Sequence, residues 1–153
     1  MKPKDILSNR LFISGSIWLS RIVIGICFIF SGFAKADDPW GTIFKIEQYL
    51  SVWEMPQPRS LIIAAAFSLA IAEFMLGIAV LLGIYRRNAP KGIALMMLIF
   101  LPLTGYIAVT SPVDDCGCFG DAWVISNTMT FIKNILLTLL TILLLRWNKS
   151  VPS

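Results

Sequence analysis

No histidine occurs in this chain, and only three of its 153 residues are cysteine. The commonest general base and the commonest zinc ligand are therefore missing, and no metal site is expected. Charge is scarce as well: 14% of the residues are Asp, Glu, Lys or Arg, against 57% hydrophobic. A soluble domain of this length needs far more charged surface, so water is excluded as the main solvent. Period-two alternation is absent from the apolar segments, which excludes a membrane β-barrel. The chain shows no internal repeat and no low-complexity segment. Its net charge of +4 does not point to nucleic acid. The basic residues flank apolar runs instead of forming a patch interleaved with aromatics.

What is present is four long apolar runs: Leu11 to Ala34, Leu61 to Gly83, Gly92 to Thr110 and Thr128 to Trp147. Each approaches the ~20 residues that a helix needs to cross ~30 Å of hydrocarbon. The predicted fold is an all-α membrane protein, a four-transmembrane-helix bundle forming a single domain over residues 1–153. Lys2, Lys4 and Arg10 precede the first run, Arg86, Arg87 and Lys91 link the second to the third, and Arg146 and Lys149 follow the fourth. Four crossings put these clusters on one side, and the positive-inside rule makes that side cytoplasmic. The expected location is the bacterial inner (cytoplasmic) membrane, with both termini in the cytoplasm. Ala34-Lys35-Ala36 resembles a leader-cleavage site. Arg21 interrupts the preceding apolar stretch, however, and that stretch is long enough to span.

The first outer segment, about residues 35–60, carries Trp40, Ile43, Phe44, Ile46, Tyr49, Leu50 and Trp53 at mixed three- and four-residue steps. This predicts an amphipathic helix lying at the outer interface, ended by Pro56 and Pro58. It is either a structural cover for the bundle or a lid over a substrate.

Two charges fall within the spans. Arg21 and Glu73 count to similar depths from their flanks and are opposite in sign, which predicts a buried ion pair between the first two spans. The pair either fixes helix register or forms a polar site for a quinone head group or for protons. Arg21, Gly25, Phe28, Gly32 and Lys35 share one helical stripe, and Ala66, Ala70, Glu73 and Gly77 share another. Small residues on such stripes allow close backbone approach between membrane helices. Lys133, inside the fourth span, either snorkels outward or meets Asp114, Asp115 or Asp121.

Chemistry concentrates at Asp114-Asp115-Cys116-Gly117-Cys118-Phe119-Gly120-Asp121, on the outer side where disulfides persist. Cysteines separated by one glycine close only a small, strained ring, and strain makes a disulfide labile. Cys116 and Cys118 are thus candidates for thiol–disulfide exchange, although the flanking carboxylates oppose thiolate formation. A static structural disulfide, a metal site with the aspartates, and bonding elsewhere compete with that reading. Cys27, in the outer half of the first span, is the remaining thiol. It is either buried and inert or a partner for the loop.

Arg21-x-x-x-Gly25-x-x-Phe28-x-x-Ser31-Gly32-x-x-Lys35 and Ala72-Glu73-x-x-x-Gly77 resemble helix motifs of the DoxX-like superfamily. Asp115-Cys116-Gly117-Cys118-Phe119-Gly120 resembles the cysteine motif of its methylamine utilisation protein MauE family. The resemblance covers nearly the whole chain. It implies a role in maturing periplasmic proteins, with a thioredoxin-like periplasmic partner and a client protein. The superfamily's link to quinone chemistry leaves a quinone open as cofactor. The design is also similar to vitamin K epoxide reductase-like enzymes, but this chain lacks their C-x-x-C pair.

The leading expectation is a membrane redox accessory protein in which Cys116 and Cys118 cycle between dithiol and disulfide. Arg21, Glu73, Cys27, Lys35, Asp115, Asp121 and Lys133 are supporting residues. The rivals are a non-catalytic assembly factor, a quinone-linked subunit and a small-solute transporter. Topology is directly testable. After reduction, a membrane-impermeant thiol reagent applied to intact cells should label Cys116 or Cys118 and spare a cysteine placed at Asn88. The reverse pattern would overturn the orientation.

Overall fold

A computed structural model describes the backbone of residues 3–110 and 126–147 and the side chains of residues 13–110 and 126–146. All of the regular structure among these residues is helical: α1 Pro3–Asp37, α2 Pro39–Val52, α3 Arg59–Leu82, α4 Ala89–Thr110 and α5 Asn127–Trp147. Four segments are long and apolar enough to cross a membrane: Ile13–Asp37, Arg59–Leu82, Ala89–Thr110 and Asn127–Arg146. The four-helix membrane bundle and the short amphipathic helix are both observed, with one difference of boundary. The first span does not stop at Ala34. It continues to Asp37, so Lys35 belongs to the bundle and not to a loop.

Local chemistry explains where the helices break. Asp38 alone separates α1 from α2. Its carboxylate accepts the Gly41 amide at 3.0 Å as an N-cap, and Pro39 follows as the first helical residue. Pro56 and Pro58 lie between α2 and α3. Gly83 ends α3 in the left-handed region at φ 72°, a conformation that glycine adopts without steric cost.

The spans form a closed ring in the order α1, α3, α4, α5, and each touches its two neighbours. Helix α2 packs on α1 and α3 through Ile43, Ile62 and Ala66. Up-and-down crossing places α2, the C-terminal end of α4 and the N-terminal end of α5 at one end of the bundle, the α2 end. The α3–α4 link lies at the opposite end. There the ring is filled by Ile17, Ile24, Val80, Ala89, Ile93 and Leu144, an apolar plug. Large apolar side chains such as Leu19, Ile71, Leu98 and Val109 remain exposed around the outside, as a lipid solvent allows. Helix α5 carries the principle furthest. Thr130, Asn134 and Thr141 face inward while Met129, Ile132, Leu136 and Leu139 face out.

Helices α1 and α3 approach almost backbone to backbone. A Cβ on Gly32 would come within 2.6 Å of the Phe74 amide nitrogen and 2.7 Å of the Ala70 carbonyl oxygen. A Cβ on Gly77 would meet the Ile29 amide nitrogen at 2.7 Å. Lipid supplies no hydrophobic drive between helices, so this close contact is what holds the pair. Gly32→Ala should therefore force α1 from α3 and cost about 1–3 kcal/mol, read as a lower thermal midpoint in detergent. Gly15 is the control, because a Cβ added there would meet nothing within 4 Å. Gly15→Ala should hold or slightly raise the midpoint. Equal midpoints for the two variants would refute the close-packing account.

Candidate functional site

The antiparallel register set by Gly25, Gly32 and Gly77 decides which charges meet. Glu73 is buried on α3, and its partner is Lys35. Lys35 Nζ donates to Glu73 Oε2 at 2.7 Å and to Ser31 Oγ at 2.7 Å. Side chains on a helix lean toward its N-terminus. Lys35, at the C-terminal end of α1, therefore reaches back into the bundle toward Glu73.

The expected Arg21–Glu73 pair is not formed. Arg21 is buried as predicted, but a side chain on Gly83 would come within 3.0 Å of its Nη1. That places its guanidinium at the far end of α3, ten residues beyond Glu73. It also stacks 5.8 Å from the Trp18 ring. Counting residues from the flanks yields Cα depth alone. The register shows that the depths differ: Gly25 meets Gly77 and Leu81 while Gly32 meets Ala70 and Phe74, so Arg21 is level with the end of α3 and Glu73 with the last turns of α1, where Lys35 leans toward it.

The Lys35–Glu73 pair borders a cavity of about 130 Å³ in the α2 half of the bundle. Every helix contributes to it. Cys27, Phe28, Ser31 and Lys35 come from α1, Thr42, Lys45 and Tyr49 from α2, and Leu69 and Glu73 from α3. Met97, Phe100, Thr104 and Ile107 come from α4, and Lys133, Asn134 and Leu137 from α5. Cys27 is a free, half-buried thiol on this wall. Asn134 Nδ2 donates to Thr104 Oγ1 at 3.2 Å, and the Thr104 hydroxyl donates to the Phe100 carbonyl at 2.7 Å. The bond crosses from α5 to α4 beside the cavity. Beyond α2, the Trp53 ring lies 6.1 Å from Tyr106 and joins the end of that helix to α4.

Among the predicted site residues, Cys27, Lys35, Glu73 and Lys133 are brought to one cavity, and Arg21 is not among its lining residues. Cys116, Cys118, Asp115 and Asp121 lie outside the described residues, as does Asp114, the remaining carboxylate considered for Lys133. Lys45, Asn134 and Thr104 join the site without having been expected there. Asn134 and Thr104 had a usable signal, because polar groups mid-span face inward. Lys45 had none, since a lysine on an interfacial helix ordinarily points to water.

Four spanning helices closed around a lysine-bearing cavity define a small polytopic membrane protein with a polar interior site. The chain matches the family of methylamine utilisation protein MauE over residues 13–147, and it belongs to that family. Membership makes it a membrane accessory protein of methylamine utilisation. No curated protein and no solved structure matches the chain.

The ion pair yields a direct test. Glu73→Ala leaves the Lys35 ammonium buried without its carboxylate, a loss of about 3–5 kcal/mol. Folded yield should fall sharply. Lys35→Met combined with Glu73→Leu removes both charges and should recover much of it. Equal yields for Glu73→Ala and the wild type would show that the pair is not coupled to folding.

Proposed function

We propose that this protein is a membrane redox accessory factor in which Cys116 and Cys118 cycle between dithiol and disulfide at the outer face. The reading supposes the inner membrane, with cytoplasmic termini, as the basic flanks favour. The supporting geometry is the polar cavity with Cys27 and the Lys35–Glu73 pair at the α2 end. The α4–α5 connection, whose sequence carries Cys-Gly-Cys, leaves the bundle at that same end. Exchange with a periplasmic thioredoxin-like partner balances simply. The Cys116–Cys118 disulfide takes two electrons and two protons from the partner's dithiol, which closes to a disulfide. The reverse direction reduces the partner. Either supports maturation of a disulfide-bearing client.

A quinone-linked reading, suggested by the resemblance to DoxX-like helix motifs, draws on the same cavity. Lys45, Lys133 and Tyr49 carry hydrogen-bond donor groups in a lining that also includes Phe28, Leu69, Met97 and Phe100, a combination that fits the carbonyls and the ring of a quinone. Closing the Cys116–Cys118 disulfide releases two electrons and two protons, and reduction of a quinone to its quinol accounts for both. A non-catalytic assembly factor is the rival reading, with the cysteines purely structural.

Cys116→Ser and Cys118→Ser, expressed singly, should each leave one thiol able to stall exchange. At least one variant should trap a mixed disulfide with a thioredoxin-fold protein, identified by mass spectrometry. No trapped partner, together with full activity of the double variant, would leave the assembly-factor reading standing and remove the redox one. The same loop predicts a thermal signature. Its ring is too short for loop closure to add much stability. Reduction should move the thermal midpoint little, and a large drop would mark a structural bridge.

A further inference from the structure

A groove of about 300 Å³ runs beside the cavity, between α4 and α5. Among the described residues, Ala94, Leu98 and Pro102 line one side and Thr138, Thr141 and Ile142 the other. Pro102 stands inside α4 and has no N–H for the Leu98 carbonyl one turn back, which disturbs the helix at the groove wall. Thr138 and Thr141 donate their hydroxyls to the Asn134 and Leu137 carbonyls at 2.7 Å. Each threonine thus satisfies its polar group within α5 and leaves the groove apolar. The rim is open, with Leu98 71% exposed and Ile142 50%. Exposed faces of spanning helices meet lipid, so hydrocarbon is what covers the groove. On its inner side the groove adjoins the cavity, because buried Met97 lines both. Methionine is unbranched and flexible, so this partition moves aside by rotation of its side chain alone.

We propose that the cavity is entered from the bilayer past Met97, and that its ligand is a single-tailed membrane amphiphile. The head occupies the cavity, whose volume of about 130 Å³ is near that of an engineered cavity that accepts benzene. The head is therefore of single-ring size. The tail lies in the α4–α5 groove and runs out into lipid. The inference turns on the tail and not on the chemistry of the head. It is independent of the Cys116–Cys118 exchange and of the quinone reading.

Cys27 supplies the reporter, because it lines the cavity as a free thiol. Full-length protein in nanodiscs is treated with N-dodecylmaleimide, which carries a tail, or with N-ethylmaleimide, which does not. In either reaction the Cys27 sulfur bonds to one carbon of the maleimide double bond and the thiol proton passes to the other. Peptide mass spectrometry measures both rates at Cys27, and their ratio cancels any change in thiol reactivity. Met97→Ile is close in volume but stiff at χ1. Ala94→Phe fills the groove from its lipid side, and it serves alone if Met97→Ile fails to fold. Each should lower the dodecyl-to-ethyl ratio by about tenfold. Leu95 is 63% exposed and outside the groove lining, so Leu95→Phe should leave the ratio unchanged. A diazirine at the end of the dodecyl tail should crosslink to α4 or α5 on irradiation. An unchanged ratio in a folded groove variant, or crosslinks confined to other helices, would mean that the groove holds annular lipid only and would overturn the proposal. The readout involves neither Cys116 nor Cys118 nor a quinone, so its failure and the failure of the function proposed above are separate results.

Discussion

The buried contact between Lys35 and Glu73 is the constraint on which the rest of the bundle turns. Two charges held in a membrane interior are tolerable only as a close pair with further hydrogen bonds. That closeness needs α1 and α3 nearly in backbone contact, which Gly25, Gly32 and Gly77 permit. The pair and the glycines are therefore one device. The glycines bring the helices together and set the register in which the two charges meet, and the ion pair holds it.

The rest of the ring is arranged around that register. Helices α4 and α5 are joined by the Asn134–Thr104 hydrogen bond and touch the α1–α3 pair along their flanks. Aliphatic residues fill the interior at the end away from α2, where Arg21 lies beside Gly83, while the cavity with Lys35, Glu73, Lys45 and Lys133 lies at the α2 end. The bundle thus has an apolar half and a cavity-bearing half. Helix α2 covers the cavity-bearing half and places Lys45 and Tyr49 in its lining. An interfacial helix of this kind contributes side chains to the interior site as well as covering it.

This division bears on how an accessory protein of methylamine utilisation works. The proposed thiol chemistry belongs to the connection at the α2 end, and the polar cavity lies below that same end. Its lining includes Ile107 near the end of α4 and Lys133 near the start of α5.

The sequence by itself determined the solvent, the number of spans, the interfacial helix and the inward stripes. Each follows from composition or from periodicity along one chain, which needs no knowledge of neighbours. The buried positions of Arg21, Lys35 and Glu73 were legible in this way. Their pairing was not, because a partner depends on helix register and on the direction in which each side chain leans. Glu73 therefore met Lys35, and Arg21 went to the end of α3. Lys45 and the cavity were decided only by tertiary structure. A void and its lining belong to the space between five helices, and no local pattern in any one of them encodes it.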